Sequence, residues 1–333
     1  MTQENKNSGR FQKKLIEFVT NNKALFILII LVAIASILSP RFLMPRNIVN
    51  ILKQIAASVI LGMGYSLIMG SGNMDLSVGY MLGMLGIIAA KLDTTTAIPF
   101  GIIIVMTLAF GGISGMFSAF FINTFNLPPF IVTLATGQVF KGINYIVSNT
   151  SAISGLCNTF TAIGQGYIFG VIPISVTIAV LLTVIIAVIV YRTTFGCHLL
   201  AIGANSEAAR AAGLDVKKLR YMVYCLAGIC VGIASLALTG RAASAQPQAG
   251  QGMEMDAIAA VIIGGTPLGG GRSKPEGTFF GCLTVGLISN ILNLLSVNSN
   301  WQLVAKGGII LFAVILDAEG EKLMEHQRMK TMR

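Results

Sequence analysis

The chain has 333 residues, of which 54% are hydrophobic and only 11% charged, with a formal net charge of +10. An ordinary soluble domain carries about 25% charge, so this chain lacks the polar surface to cover itself in water, and its 37 glycines are scattered rather than periodic, which excludes collagen. Composition therefore predicts an all-α, polytopic membrane protein, and the basic excess is explained by the flanks of membrane spans rather than by nucleic acid.

Residues 1–23 are polar, with five Lys/Arg against two acids, and an apolar run follows from Ala24 to Ser39. The long polar head and the immediate succession of further runs read as a cytoplasmic N-terminal segment and an uncleaved first span, a cleaved signal peptide being the alternative. Further apolar runs cover 50–70, 76–91, 97–122, 128–147 and 171–191. Six spans from an inside start return the chain to the inside, where the basic stretch from Tyr191 to Arg220 (Arg192, Arg210, Lys217, Lys218, Arg220) belongs. Arg41, Arg46 and Lys53 run against that count, because they follow the first span on the outer side. Beyond the inner loop, 192–220, come runs at 221–241, 256–271, 275–297 and 301–317, then a charged tail, 318–333. About ten spans put both termini in the cytoplasm. At about 20 residues each, they make 24–317 one transmembrane domain with no room for a soluble catalytic one. The runs 76–91 and 256–271 are short and broken by glycine.

Gly79/Gly83, Gly111/Gly115, Gly228/Gly232 and Gly277/Gly281 are each G-x-x-x-G, which puts a smooth groove on one helix face and predicts close helix contacts. Five cysteines without a C-x-x-C pair read as small buried apolar residues. His198 and His326, both in charged, loop-like sequence, are too few for a histidine metal site or triad. No metal is expected.

A carboxylate inside a membrane segment costs about 2.5–3.5 kcal/mol on translocon scales, so each needs a reason. Two clusters have them: GSGNMDLSVGY, with Asp75 and Ser77, and AGQGMEMDAIAAVIIGGTPLGGG, with Glu254 and Asp256. In both, G-x-G leads to an acid and then to a short apolar run. Asp75 and Asp256 could cap a helix and do no more, or the two clusters could be corresponding broken helices in two halves of a transporter.

Phosphate-binding motifs fail on spacing. Neither G-x-G continues to a third glycine, and GGTPLGGGRSK has Arg272 where a phosphate loop needs lysine. The chain is expected not to be an enzyme and to hydrolyse no ATP by itself. The inner loop holds a short helix candidate: Asn205 as N-cap, Glu207 in the first turn with Arg210 at i+3, and Gly213 as the stop. Ala208, Ala209, Ala211 and Ala212 leave its sides nearly bare. Two turns are unstable alone in water, so this helix is expected to dock, on a partner or on the protein's own inner face.

GSGNMDLSVGY resembles the GGIDLSVGS motif of the permease subunits of bacterial ABC importers for ribose, xylose and galactose, more distantly related to branched-chain amino-acid permeases. NLPPFIVTLATGQVFKGI, TTFGCHLLAIGANSEAARAAGLDVKKLRYMVYCLAG and AQPQAGQGMEMDAIAAVIIGGTPLGGG are similar to three further segments of that family, so the likeness runs from about Arg46 to Asp317. Departures fall at Asn73, Met74, Cys197, His198, Pro267 and the basic Arg272-Ser273-Lys274. The first of these lie near the presumed pathway and bear on which sugar is carried.

The resemblance implies a multi-pass permease of the bacterial inner membrane that moves a monosaccharide by alternating access. Its partners would be a second permease subunit, identical or not, a cytoplasmic ABC ATPase and an extracytoplasmic sugar-binding protein. ATP and Mg would be bound by the ATPase, and this chain would hold no cofactor. Asn205, Glu207, Ala208, Ala209, Arg210 and Gly213 match the family's coupling helix. Candidates for the translocation pathway or gate are Asp75, Ser77, Asn123, Gln138, Asn144, Glu254 and Asp256. The competing reading is an ion- or proton-coupled secondary transporter that uses Asp75, Glu254 and Asp256 as relay carboxylates.

Overall fold

The computed structural model describes residues 23–309 together with Leu311 and Ile315. The expected polar head up to residue 22, the tail 318–333 and most of the last run beyond 309 lie outside the described residues, as does His326. Helices dominate: α1 Lys23–Leu38, α2 Pro45–Gly70, α3 Val78–Thr95, α4 Phe100–Phe125, α5 Pro129–Ser148, α6 Asn158–Gln165, α7 Ile174–Arg192, α8 Thr194–Ala204, α9 Ser206–Ala211, α10 Val216–Ala242, α11 Met253–Ile263 and α12 Pro275–Leu294. A further helix, α13, covers 299–309. Four two-residue strands make two small antiparallel pairs. Ile153–Ser154 (β1) pairs with Ser244–Ala245 (β4), and Tyr167–Ile168 (β2) pairs with Ile172–Pro173 (β3).

Proline sets many of the starts. Pro45, Pro129 and Pro275 occupy first-turn positions of α2, α5 and α12, and Pro99 and Pro173 immediately precede α4 and α7. Its missing N–H costs nothing there, and its fixed φ suits the first turn. Asn126 and Asn149 end α4 and α5 in left-handed conformation, φ 52° and 49°.

Among the described residues six helices, α2, α4, α5, α7, α10 and α12, are long and apolar enough to cross a bilayer, and α1 and α8 are shorter apolar helices. The two runs expected to be short or broken differ from each other. The run 76–91 is a continuous helix to Thr95, whereas 256–271 is helical only to Ile263 and then irregular until Pro275. Gly264, Gly265 with φ +90°, and Pro267 interrupt it.

The inner loop, expected as a polar segment with one short helix, holds that helix as α9 and a second, α8, before it, so His198 lies on α8 rather than in a loop. α10 starts at Val216, five residues ahead of the apolar run, because the Asp215 carboxylate accepts from Lys218 N–H at 3.0 Å. Lys217, Lys218 and Arg220 therefore ride on the first turns of a helix.

α2 and α10 occupy the centre of the bundle, while α4, α5 and α7 turn apolar side chains outward, among them Val105, Phe120, Leu181 and Val184. Water would not tolerate such a belt, and lipid would.

Contacts sort the helix ends into two groups. At one end, Gly271 N–H donates to the Gly70 carbonyl (3.1 Å), Gly203 packs on Gly70, and Tyr191 Oη donates to the Glu276 carboxylate (2.8 and 2.9 Å). At the other end, Cys157 N–H donates to Asp93 (2.8 Å), and Gly164 packs on Gly240 and Arg241. Lys53, which ran against the charge count, faces this second end. Its Nζ donates to the Gln165 carbonyl (2.6 Å) and lies 4.0 Å from the Tyr167 ring centre.

The paired glycines sit at close backbone contacts. A Cβ on Gly111 would fall on the Gly228 carbonyl and the reverse, so α4 and α10 touch along their backbones. Gly277 and Gly281 of α12 meet the Gly264 and Ala260 carbonyls in the same way, and Gly79 and Gly83 meet those of Gly250 and Ala249.

Candidate functional site

The first candidate surface is α9. Asn205 caps it, its Oδ1 accepting from Glu207 N–H (3.0 Å) and Ala208 N–H (2.9 Å). Gly213, at φ +88°, closes the other end with Leu214 N–H donating back to the Ala209 carbonyl (3.0 Å). Ala209 is the residue that anchors it, buried in a small cluster with Ile202, Val216 and Leu219. Glu207, Ala208, Arg210 and Ala211 are exposed. The result is a helix too short to stand alone, fixed at both termini and presenting a small-sided face outward from the bundle end that carries Gly70 and Gly271.

Asn123 belongs near this end. Its Nδ2 donates to the Lys217 carbonyl (3.0 Å) and its Oδ1 accepts from Arg220 (2.7 Å), tying the end of α4 to the start of α10. It lies apart from the other pathway candidates.

The second candidate surface is built from the two carboxylate clusters. Asp75 and Ser77 are buried where α2, α3, α5 and α10 meet. Asp75 Oδ1 accepts from Ser77 N–H (2.7 Å) and Ser77 Oγ (2.6 Å), and Asp75 N–H donates to Tyr65 Oη (3.3 Å). Leu76 N–H donates to Thr133 Oγ1 (3.1 Å), and Tyr224 Oη to the Met74 carbonyl (3.1 Å). Every bond here fixes the chain as it turns into α3. Ser77, not Asp75, is the residue that precedes the helix, and no side chain caps it, so Asp75 acts on the turn before α3, with cross-links to three helices.

Beyond α10 the chain doubles back into the bundle. Asn144 Nδ2 of α5 donates to the Pro247 carbonyl (2.6 Å), and Gly250 lies against Gly79 in the first turn of α3. α11 then starts beside that same turn, with Glu254 against Gly79. From this junction the two helices diverge. α3 runs to the end bearing Asp93 and Cys157, and α11 runs to the end bearing Gly264, Gly271 and Gly70. Two helix N-termini thus meet inside the bundle, with Asp75 just ahead of α3 and Glu254 and Asp256 in the first turn of α11, where the macrodipole offsets part of the cost of an acid.

The members of the junction are unequally satisfied. Asp256 pairs with Lys306 of α13 at 2.7 Å, beside a cavity of about 200 Å3 lined also by Gln54, Arg241 and Ser289. Glu254 Oε1 accepts from Gly252 N–H (3.2 Å), but among the described residues its buried Oε2 has no partner, nor has the buried Oδ1 of Asn144. Gln138 is exposed on α5. One turn further on, Lys141 Nζ lies 5.7 Å from the Tyr80 ring centre, and Gln251 Nε2 donates to Tyr145 Oη (3.4 Å). Lys141, Tyr145, Tyr80 and Gln251 were not among the sequence candidates. Lys141 could have been, because a lone cation near the middle of an apolar run carries the same cost as an acid. Among the described residues no group of three or more His, Cys, Asp or Glu is placed to hold a metal.

Residues 47–314 match the family model described as the branched-chain amino acid transport system permease component. The chain is 42% identical to the ribose import permease protein of Bacillus subtilis, over 87% of this chain and 90% of that one. It is 36% identical to the D-allose transport system permease protein of Escherichia coli (88% and 90% covered) and 32% identical to the galactose/methyl galactoside import permease protein of Salmonella typhimurium (92% and 96% covered). No solved structure matches. A helical body with six bilayer-length helices and interior helix breaks, matched over nearly its whole length by transport permeases, assigns this chain to the branched-chain amino acid transport system permease component family, as a multi-pass protein of the bacterial inner membrane.

Proposed function

We propose that this chain is the transmembrane subunit of an ABC importer for a monosaccharide. The observation that carries the reading is α9: a two-turn helix capped by Asn205 and Gly213, with exposed Glu207, Ala208, Arg210 and Ala211. Such a helix has no structural reason to be bare unless another surface covers it, and the cleft of a cytoplasmic ATPase is the surface the resemblance implies. The relatives' names, import permeases for ribose and galactose and a transport system permease for D-allose, supply the substrate class.

On this reading the α9 end faces the cytoplasm, with both termini on that side. ATP and Mg bind to the ATPase, the chain itself performs no hydrolysis, and a sugar-binding protein delivers cargo to the far end. A second permease subunit stands across the pathway from the exposed polar side of α5, where Gln138 and Lys141 would otherwise meet lipid. ATPase closure draws two α9 helices together and opens the far end, and hydrolysis reverses the movement.

A relay of ionisable carboxylates fits less well. Asp75 is held by Ser77, and Asp256 by Lys306. The two readings part in proteoliposomes. Radiolabelled ribose uptake is expected only when the ATPase, the binding protein and ATP are all present. Uptake by the chain alone, driven by an ion gradient and indifferent to ATP, would refute the importer reading.

A further inference from the structure

We propose that the junction of α3 and α11 is a binding station for an uncharged polyhydroxylated ring, within the translocation pathway of the importer reading on which this inference rests. Three observations converge. The first is a pair of acceptors with no partner among the described residues, Glu254 Oε2 and Asn144 Oδ1, on residues only 7% and 2% exposed. Both flank the Gly79–Gly83 turn of α3: Glu254 lies against Gly79, and Asn144 Nδ2 is 3.1 Å from where a Cβ on Gly83 would be. Buried acceptors left without donors are costly, and a sugar hydroxyl is a donor.

The second observation is the wall in front of them. Gln138, Lys141 and Tyr145 recur at i, i+3 and i+7 along α5, and Gln251 and Tyr80 contact Tyr145 and Lys141 from the neighbouring segments. This wall offers ammonium and amide donors for ring and hydroxyl oxygens, and two tyrosine faces for the C–H side of a sugar ring.

The third observation is the backbone. Gly79 and Gly83 of α3 meet the Gly250 and Ala249 carbonyls across the contact of α3 with 249–254, with the Glu254 and Asn144 side chains at its edges, so a small parting of these two segments opens space directly beside both acceptors. The station requires that parting, since both acceptors are covered in this conformation. It is the motion that alternating access demands. The mixture of one carboxylate, one ammonium and neutral amides suits a neutral polyol, and a charged substrate would leave one of the two ions unmatched.

The test uses the complete transporter, with its ATPase and binding protein, in proteoliposomes. Lys141→Met and Gln251→Leu alter surface side chains of the wall, and Val139→Ala, on the outward side of α5, is the control. Uptake of D-ribose and D-allose is measured alongside sugar-independent ATP hydrolysis. Both variants are expected to lose about tenfold in uptake, the loss of one charged or amide hydrogen bond, with hydrolysis held within twofold. A changed ribose-to-allose rate ratio is also expected. Uptake within twofold of wild type in both variants overturns the station, and so does a parallel fall in hydrolysis, which would mark the residues as structural. Failure of the wild-type transporter to show ATP-driven uptake defeats the importer reading instead, and that result is read first.

Discussion

Gly228→Leu is expected to abolish folded protein. Gly228 sits where α10 crosses α4. A Cβ there would fall on the Gly111 carbonyl oxygen and lie 2.7 Å from its carbon, so the neighbour in the way is backbone, which cannot rotate aside. Gly115 repeats the geometry one turn along α4, against the Tyr224 carbonyl. Helices in lipid gain no hydrophobic energy from association and rely on this close packing. Overpacking costs about 1–3 kcal/mol even where side chains can adjust. The damage would spread, because α10 carries α9 before its first turn and leads into the 246–252 segment after its last. Gly232→Ala makes a graded comparison: its nearest atom, the Thr107 carbonyl oxygen, is 3.1 Å away, so the two helices need part by only a few tenths of an ångström. Detergent extraction followed by size-exclusion chromatography is expected to return no monodisperse Gly228→Leu protein and near-normal Gly232→Ala. Normal yields of both would mean that α4 and α10 do not pack through this contact.

The bundle was legible in the sequence to the extent that local chemistry defines it. Apolar runs located the long helices, though not α6 or α8, and Asn205 with Gly213 marked the limits of α9, because caps and turns are satisfied by neighbours in the chain. Boundaries slipped where a helix continues through polar residues, as α10 does from Val216 on the strength of Asp215. They slipped again where an apolar run continues past a helix, as 264–271 does beyond Gly264. The site was less legible because its geometry is tertiary. Nothing in the spacing of Gly79 and Glu254 says that they touch, or that Asn123 belongs with Arg220, 97 positions away. Lys306 as the partner of Asp256 was hidden for the same reason. Lys141 is different, because the cost of a lone cation within an apolar run is visible in the sequence itself.

Ala208→Arg combined with Ala211→Arg is expected to separate ATP hydrolysis from transport. Both positions are exposed on α9, and neither belongs to the Ala209 cluster that anchors the helix, so the body of the protein is left as it is. Arginine also favours a helix nearly as well as alanine does. What changes is the thickness and charge of the face presented outward. If an ATPase cleft receives that face, the added side chains hold it off and the conformational coupling is lost. Coupling free energies of about 1–3 kcal/mol correspond to roughly 5–150-fold effects, so uptake by the reconstituted transporter should fall by more than about tenfold, with the ATPase still turning over. Gly213 gives an independent handle on the same element. Its φ of +88° is one that asparagine accepts better than a β-branched residue, and nothing lies within 4 Å of a Cβ there, so any effect is conformational rather than steric. Gly213→Val should therefore uncouple and Gly213→Asn should largely spare transport. Equal transport by all three variants, with unchanged hydrolysis, would remove α9 from the coupling pathway. A graded loss in the order asparagine, valine, double arginine would tie transport to the shape of this helix rather than to the stability of the bundle, because none of the substituted side chains reaches the core.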